Sequence, residues 1–108
     1  MPAQGGTPAP SAASQSMIGL LIQRGDAALA VGDIIAARLL YERAATMGSA
    51  TAATAAGKTY DLDFLVRADT HGIRPDPAAA ATWYRKAVAL GDPSARTLLA
   101  HQGLQSRP

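Results

Sequence analysis

Residues 52–59 read Ala-Ala-Thr-Ala-Ala-Gly-Lys-Thr and imitate the end of a phosphate-binding loop, with Gly57, Lys58 and Thr59 in the right order. That chemistry needs a glycine where Ala52 stands, a strand before the loop and a helix after it, so that backbone N–H groups can cradle phosphates. An alanine-rich helical stretch precedes the motif here, and Gly57 reads as the site of a close helix crossing. The two histidines are His71 and His101. His71 has Asp61, Asp63 and Asp69 near it in sequence, a group that could ligate a metal. It has neither calcium-loop spacing nor an H-x-x-x-H pair, and loop carboxylates commonly bond their own backbone instead. The expectation is no metal and no cofactor. His101 fits a helix C-terminus, where it complements the dipole. Serine, histidine and aspartate all occur, but no nucleophile elbow does. The chain therefore reads as a non-enzyme. Tyr41, Trp83 and Tyr84 could anchor a ligand, yet they sit at helical spacing and suit inter-helix packing.

The elements that would hold these residues are helical. The chain has 108 residues, of which 25 are alanine, the residue with the best helix propensity. Aromatic residues are 5% of it, which is poor for a β-sandwich or a large ligand cavity. There is no cysteine, so disulfides, thiolate metal sites and a cysteine nucleophile are excluded. Ten basic residues face eight acidic ones, for a net charge of +2 without a basic cluster, which argues against nucleic acid as a partner. The densest apolar run, Met17 to Ile22, is too short to cross a bilayer, so no membrane insertion is expected. Read as complete, the chain would be cytoplasmic; read as a fragment of a longer protein, it would be periplasmic or exported.

Residues 1–15 are small, polar and broken by proline and glycine, and read as a flexible tail. A rhythm of cap, helix and glycine follows. Ser14 or Ser16 caps a helix to about Val31, ended by Gly32. Asp33 caps a second to about Met47, ended by Gly48. Ser49 caps a third to about Tyr60. Asp76, with Pro77 in the first helical position, caps a fourth that ends at Gly91. Asp92-Pro93 starts a fifth, ending near Gly103. Short turns make neighbours antiparallel. Residues 61–75 read as an ordered loop in which Leu62, Phe64 and Leu65 fold back on the helices.

The second and fourth helices are related by a repeat of 43 residues: Asp33/Asp76, Ala36/Ala79, Ala37/Ala80, Tyr41/Tyr84, Ala44/Ala87, Gly48/Gly91 and Ala52/Ala95 are identical without a gap. A helical repeat implies stacked hairpins, an architecture that commonly presents a binding surface. The expected fold is all-α, an α-α superhelix of about five antiparallel helices over residues 16–104. Its units span about 16–48 and 49–91, a capping helix covers 92–103, and a tail covers 105–108.

Gly25, Gly32, Ala37, Tyr41 and Ala44 together resemble the tetratricopeptide repeat. The second unit is more similar to the SEL-one-like repeat: Gly57 and Tyr60 match its L-G-x-x-Y, Gly72 to Asp76 its G-V-x-x-D, and Ala80, Trp83, Tyr84, Lys86, Ala87 and Gly91 its A-x-x-W-Y-x-K-A…G. Ala56 departs from the leucine of that pattern, Leu40 from the tryptophan, and about seven extra residues lie between Tyr60 and Gly72. The resemblance covers roughly residues 20–100. It implies a scaffold that binds a protein or peptide, with no catalysis. It also places Ile22, Asp26, Leu29, Thr51, Thr54, Lys58 and Arg96 near a concave groove. Thr, Lys and Arg there would suit an acidic or carboxylate-bearing peptide.

A second surface follows from the residues alone. Met17, Ile18, Leu20, Leu21 and Ile22 surround their helix, because successive residues point about 100° apart. One side packs on the second helix and the other lacks a partner, so Met17, Ile18, Leu20 and Leu21 are expected to dock on upstream residues, a second copy or a partner. A structural role, as an oligomerisation or capping domain, is the alternative to an adaptor.

Overall fold

The computed structural model describes residues 11–70 and 72–105. Every element among them is helical. α1 spans Ala12–Ala30, α2 Ile34–Thr46, α3 Ala50–Lys58, α4 Leu62–Arg67, α5 Pro77–Leu90 and α6 Ala95–Gln105. The fold is all-α, with helices packed in chain order: α1 on α2, α2 on α3, α3 on α5 and α5 on α6.

The caps explain the boundaries. The side chains of Asp33, Ser49 and Asp76 accept the N–H groups of Ala36, Ala52 and Ala79 at 3.1, 3.0 and 3.1 Å. Each satisfies a first-turn donor that has no partner within its helix. The helices end on Gly32, Gly48 and Gly91, at φ of +80°, +106° and +115°. In each case the N–H of the next residue reaches back to a carbonyl five residues earlier: Asp33 to Ala28, Ser49 to Ala44 and Asp92 to Ala87. This left-handed closure costs a side-chain-bearing residue about 1–2 kcal/mol and glycine almost nothing.

Three expectations are corrected. The last helix begins at Ala95, after the Asp92–Ser94 turn, and runs through Gly103 to Gln105. The first helix starts earlier: Ser11, not Ser14 or Ser16, is its cap, accepting the Ser14 N–H at 3.1 Å. Residues 12–15, assigned from sequence to the tail, are helical, because Ala12 and Ala13 propagate a helix well once a cap stands before them. Residues 1–10 of that tail, and 106–108 of the terminal one, lie outside the described residues. The segment 61–75 is not all loop. Asp61 accepts the Asp63 N–H at 3.0 Å and starts α4, a sixth helix. An ion pair between Arg67 and Asp63 at 2.8 Å spans its exposed side. Leu65 folds inward as expected and Phe64 is half-buried, but Leu62 is 45% exposed. Leu62 and Leu65 point about 60° apart on the helix, and only Leu65 meets the core.

The core is thin and built from small residues. Ala44, Ala45, Ala52, Ala53, Ala80, Ala87 and Ala95 are fully shielded around Tyr84. Ala37 and Ala56 surround Tyr41 in a second cluster, and Trp83 packs against both. Each tyrosine occupies a notch left by a glycine of the neighbouring helix. A Cβ on Gly25 would stand 2.6 Å from a Tyr41 ring carbon, and one on Gly57 2.5 Å from two Tyr84 ring carbons. Ordinary carbon contacts are about 3.5–4.0 Å, so only glycine allows these crossings.

The seven identical pairs occupy equivalent positions. Asp33 and Asp76 cap, Gly48 and Gly91 close in the left-handed region, and Ala37/Ala80, Tyr41/Tyr84, Ala44/Ala87 and Ala52/Ala95 are buried. Residues 43 apart in sequence thus take like roles in α2 and α5 and in the turns that follow them.

Candidate partner-binding surface

The residues assigned to the groove do not all remain available. Thr51, Thr54 and Lys58 share one face of α3, three and seven residues apart. Thr51 is exposed and Lys58 half-buried. Thr54 is buried, and its hydroxyl donates to Asp92 Oδ2 at 2.6 Å. That bond ties α3 to the turn before α6, so Thr54 is a structural latch and no longer a free donor. Asp92 also accepts the Ser94 hydroxyl and N–H at Oδ1, at 2.6 and 3.1 Å. Ser94 and Thr54, with a smaller contribution from Lys58, hold the Asp92 carboxyl below its usual range. The Asp92–Ser94 turn was legible as a helix start, but its bond to Thr54 links residues 38 apart in sequence. Arg96 is exposed in the first turn of α6 and makes no hydrogen bond or ion pair with that group.

On α1, Asp26 is exposed, yet its carboxylate accepts the Tyr41 hydroxyl. Ile22 and Leu29 are half-buried and pack against the core clusters, so they support the fold instead of lining an open groove. The surface left for a partner on this side is Thr51, Lys58 and Arg96.

The apolar patch on α1 is also narrower than its sequence suggests. Leu21 is 7% exposed and belongs to the core, and Ile18 packs against it. The inward face of α1 runs through Ile18, Leu21, Ile22 and Gly25 in helical register. Met17 and Leu20 stay outside, 42% and 39% exposed. Exposed aliphatic pairs recur at Ile35/Leu39 on α2 and Leu62/Val66 on α4, each one helical turn apart. Sequence reasoning missed both later pairs, because each adjoins a residue that is buried (Ile34 and Leu65) and the run reads as uniformly apolar.

Of the positions read as structural, Gly25, Gly57, Ala37, Tyr41, Ala44, Ala80, Tyr84 and Ala87 are buried. Gly32 and Gly91 lie in exposed turns, while Gly48, Tyr60 and Trp83 are half-buried. All three tyrosines give their hydroxyl proton to a carboxylate: Tyr41 to Asp26, Tyr60 to Glu42 at 2.6 Å, and Tyr84 to Asp61 at 2.7 Å. Burial, then the carboxylate bond and its charge, push Tyr60 up to about 12, although the nearby Arg38 opposes this. The same causes raise Tyr41 and Tyr84 further.

The segment resembling a phosphate loop is the helix α3, closed by Thr59. The Thr59 hydroxyl donates to the Ala56 carbonyl at 2.6 Å and accepts from Arg38. Its N–H groups are spent within the helix and cannot cradle a phosphate. Of the loop carboxylates, Asp61 serves Tyr84 and Asp63 pairs with Arg67, while His71 lies outside the described residues. Among the described residues no group of three or more potential metal ligands converges. His101 is exposed and lines an open crevice of about 440 Å³ between α4 and α6, with Asp63, Arg67 and Leu98. No described helix is long and apolar enough to cross a membrane. Against family models, characterised proteins and solved structures, the chain matches none.

Proposed function

We propose that this chain is a protein–protein interaction module of the SEL-one-like or tetratricopeptide-like kind, which binds a peptide or protein on its helical surface. One observation carries the reading: the repeated pairs 43 residues apart hold equivalent places in successive hairpins, down to a tyrosine seated on a glycine in each. Such packing yields a rigid, pre-formed surface, and pre-formed surfaces lose little entropy when a partner binds. Binding is by shape and polar complementarity, with no bond chemistry. Thr51, Lys58 and Arg96 supply donors for an acidic partner, and the exposed aliphatic pairs supply apolar area.

The test is capture from native lysate by the purified chain, beside a Lys58→Glu, Arg96→Glu double variant and a Met17→Gln, Leu20→Gln double variant. A partner held by wild type and lost by one variant supports the module and locates its surface. Equal capture by all three proteins contradicts both surfaces.

The second reading is an oligomerisation or capping role, favoured by Met17 and Leu20 standing exposed on the first helix of the stack. Terminal helices of a stack ordinarily turn a polar face outward. Self-association that the Met17→Gln, Leu20→Gln variant abolishes supports it. A monodisperse monomer at high concentration refutes it.

A further inference from the structure

A second cleft lies where α2, the end of α3 and the start of α5 meet. It encloses about 380 Å³ and is lined by Arg38, Tyr60, Arg74, Pro75, Asp76 and Pro77. Its walls are fixed. The Asp76 N–H donates to the Tyr60 carbonyl at 2.9 Å and ties the segment before α5 across the end of α3. The Tyr60 hydroxyl is anchored on Glu42 at 2.6 Å. Arg38 is held by three contacts: Nη2 donates to the Thr59 carbonyl at 2.5 Å, Nε donates to the Thr59 hydroxyl at 3.3 Å, and the guanidinium lies 3.8 Å over the Tyr60 ring.

These contacts leave donors over. A guanidinium carries five N–H groups in a planar fork and is charged at any physiological pH. Among the described residues, hydrogen bonds engage Nε and one Nη2 hydrogen of Arg38. Arg74, on the same cleft, is exposed and makes no hydrogen bond or ion pair with a described residue. The cleft therefore joins one immobilised guanidinium to one that pairs with no described residue, beside proline and tyrosine surface.

We propose that this cleft is a carboxylate site that receives an acidic side chain of a peptide partner. The assignment deepens the interaction-module reading and rests on it, but at a place distinct from the α3 and α1 surfaces. Arg74 supplies a bidentate fork and Arg38 a second, fixed set of donors, both groups of a kind that pairs with a planar carboxylate. The rings of Pro75, Pro77 and Tyr60 flank the bound chain. Asp76 lines the cleft and Glu42 stands behind Tyr60, so a second negative charge on the ligand is opposed. This favours a carboxylate monoanion over a phosphate dianion.

The experiment is a titration of the full chain followed by the backbone amide resonances of Tyr60, Arg74 and Asp76. The probes are an acetylated, amidated Gly-Glu-Gly tripeptide, its Gly-Gln-Gly counterpart and inorganic phosphate. The expected result is a saturable shift with the Glu tripeptide, a weaker one with phosphate and none with the Gln tripeptide. Arg74→Gln removes no hydrogen bond or ion pair to a described residue, so melting stays unchanged while affinity for the Glu tripeptide falls about tenfold. The proposal is overturned if Glu and Gln tripeptides act alike, if phosphate binds more tightly, or if Arg74→Gln binds as wild type does. The variants in the capture experiment leave Arg38 and Arg74 intact, so the two readings fail separately.

Discussion

Gly57 and Gly19 are both helical glycines, yet alanine should act on them in opposite directions. Glycine in a helix interior costs roughly 0.5–1 kcal/mol relative to alanine, because its unfolded chain has more freedom to lose. At Gly19 a new Cβ meets nothing within 4 Å. Gly19→Ala should therefore stabilise the fold by up to about 1 kcal/mol, which for a domain of this size raises Tm by about 5 °C. At Gly57 the same gain is opposed. The new Cβ would stand 2.5 Å from Cδ1 and Cε1 of Tyr84. Ordinary contact requires the ring to retreat by about 1 Å. Tyr84 cannot do so freely: it is fully buried among alanines and bonded to Asp61 at 2.7 Å. Overpacking of this kind costs about 1–3 kcal/mol, and the pinned ring places it near the upper end. The net effect is a loss of about 2 kcal/mol, or a Tm lower by on the order of 10 °C. Thermal unfolding by far-ultraviolet circular dichroism measures both variants. Gly57→Ala melting at or above the wild-type temperature would refute the claim that glycine is there to admit the ring.

Gly25→Ala should cost somewhat less, about 1–2 kcal/mol, because Tyr41 is equally packed but its hydroxyl is held by the exposed Asp26 and not by a buried carboxylate; the same melting experiment reads it. Asp61→Ala removes both the cap of α4 and the partner of the buried Tyr84 hydroxyl, and should cost about 2–3 kcal/mol in urea unfolding. Gly91→Ala, at φ +115°, should cost at least about 1 kcal/mol by the same assay. The tyrosines bind their protons more tightly folded than unfolded, where the ordinary value is 10.0. Their contribution is thus fully present below pH 10.0 and falls as pH rises through about 12 for Tyr60 and higher for the other two. Tyrosinate absorbance should appear together with loss of helical signal; ionisation of all three in an intact fold would count against the tyrosine–carboxylate pairs.

Much of the fold was legible because its signals are local. A capping side chain and a left-handed glycine act within a few residues, so Asp33, Ser49, Asp76, Gly32, Gly48 and Gly91 mark helix ends wherever they stand in the tertiary fold. α4 escaped because one and a half turns are too few for a helical period to show, and its alternation of apolar and polar residues imitates a strand. Its start lies in Asp61, whose carboxylate serves the helix and Tyr84 at once.

Candidate surface residues were harder to read because availability is a tertiary property. Thr54, Asp26 and Lys58 are all polar residues on helix faces, and only their neighbours separate them. Thr54 is taken by Asp92 and Asp26 by Tyr41, while the Lys58 ammonium makes no hydrogen bond to a described residue. Met17 and Leu21 are both large and apolar, but the side of α1 that meets α2 buries one and exposes the other. Arg38 and Arg74 lie 36 residues apart, and no sequence spacing foretells that Tyr60 and Asp76 draw them to one cleft. The sequence alone determined five of the six helices, the caps Asp33, Ser49 and Asp76 and the 43-residue period, since hydrogen bonds within a turn and the loss of chain entropy depend on near neighbours. The tertiary structure alone decided which polar groups stay free, because hydrogen bonds between helices consume donors and acceptors that sequence leaves equivalent.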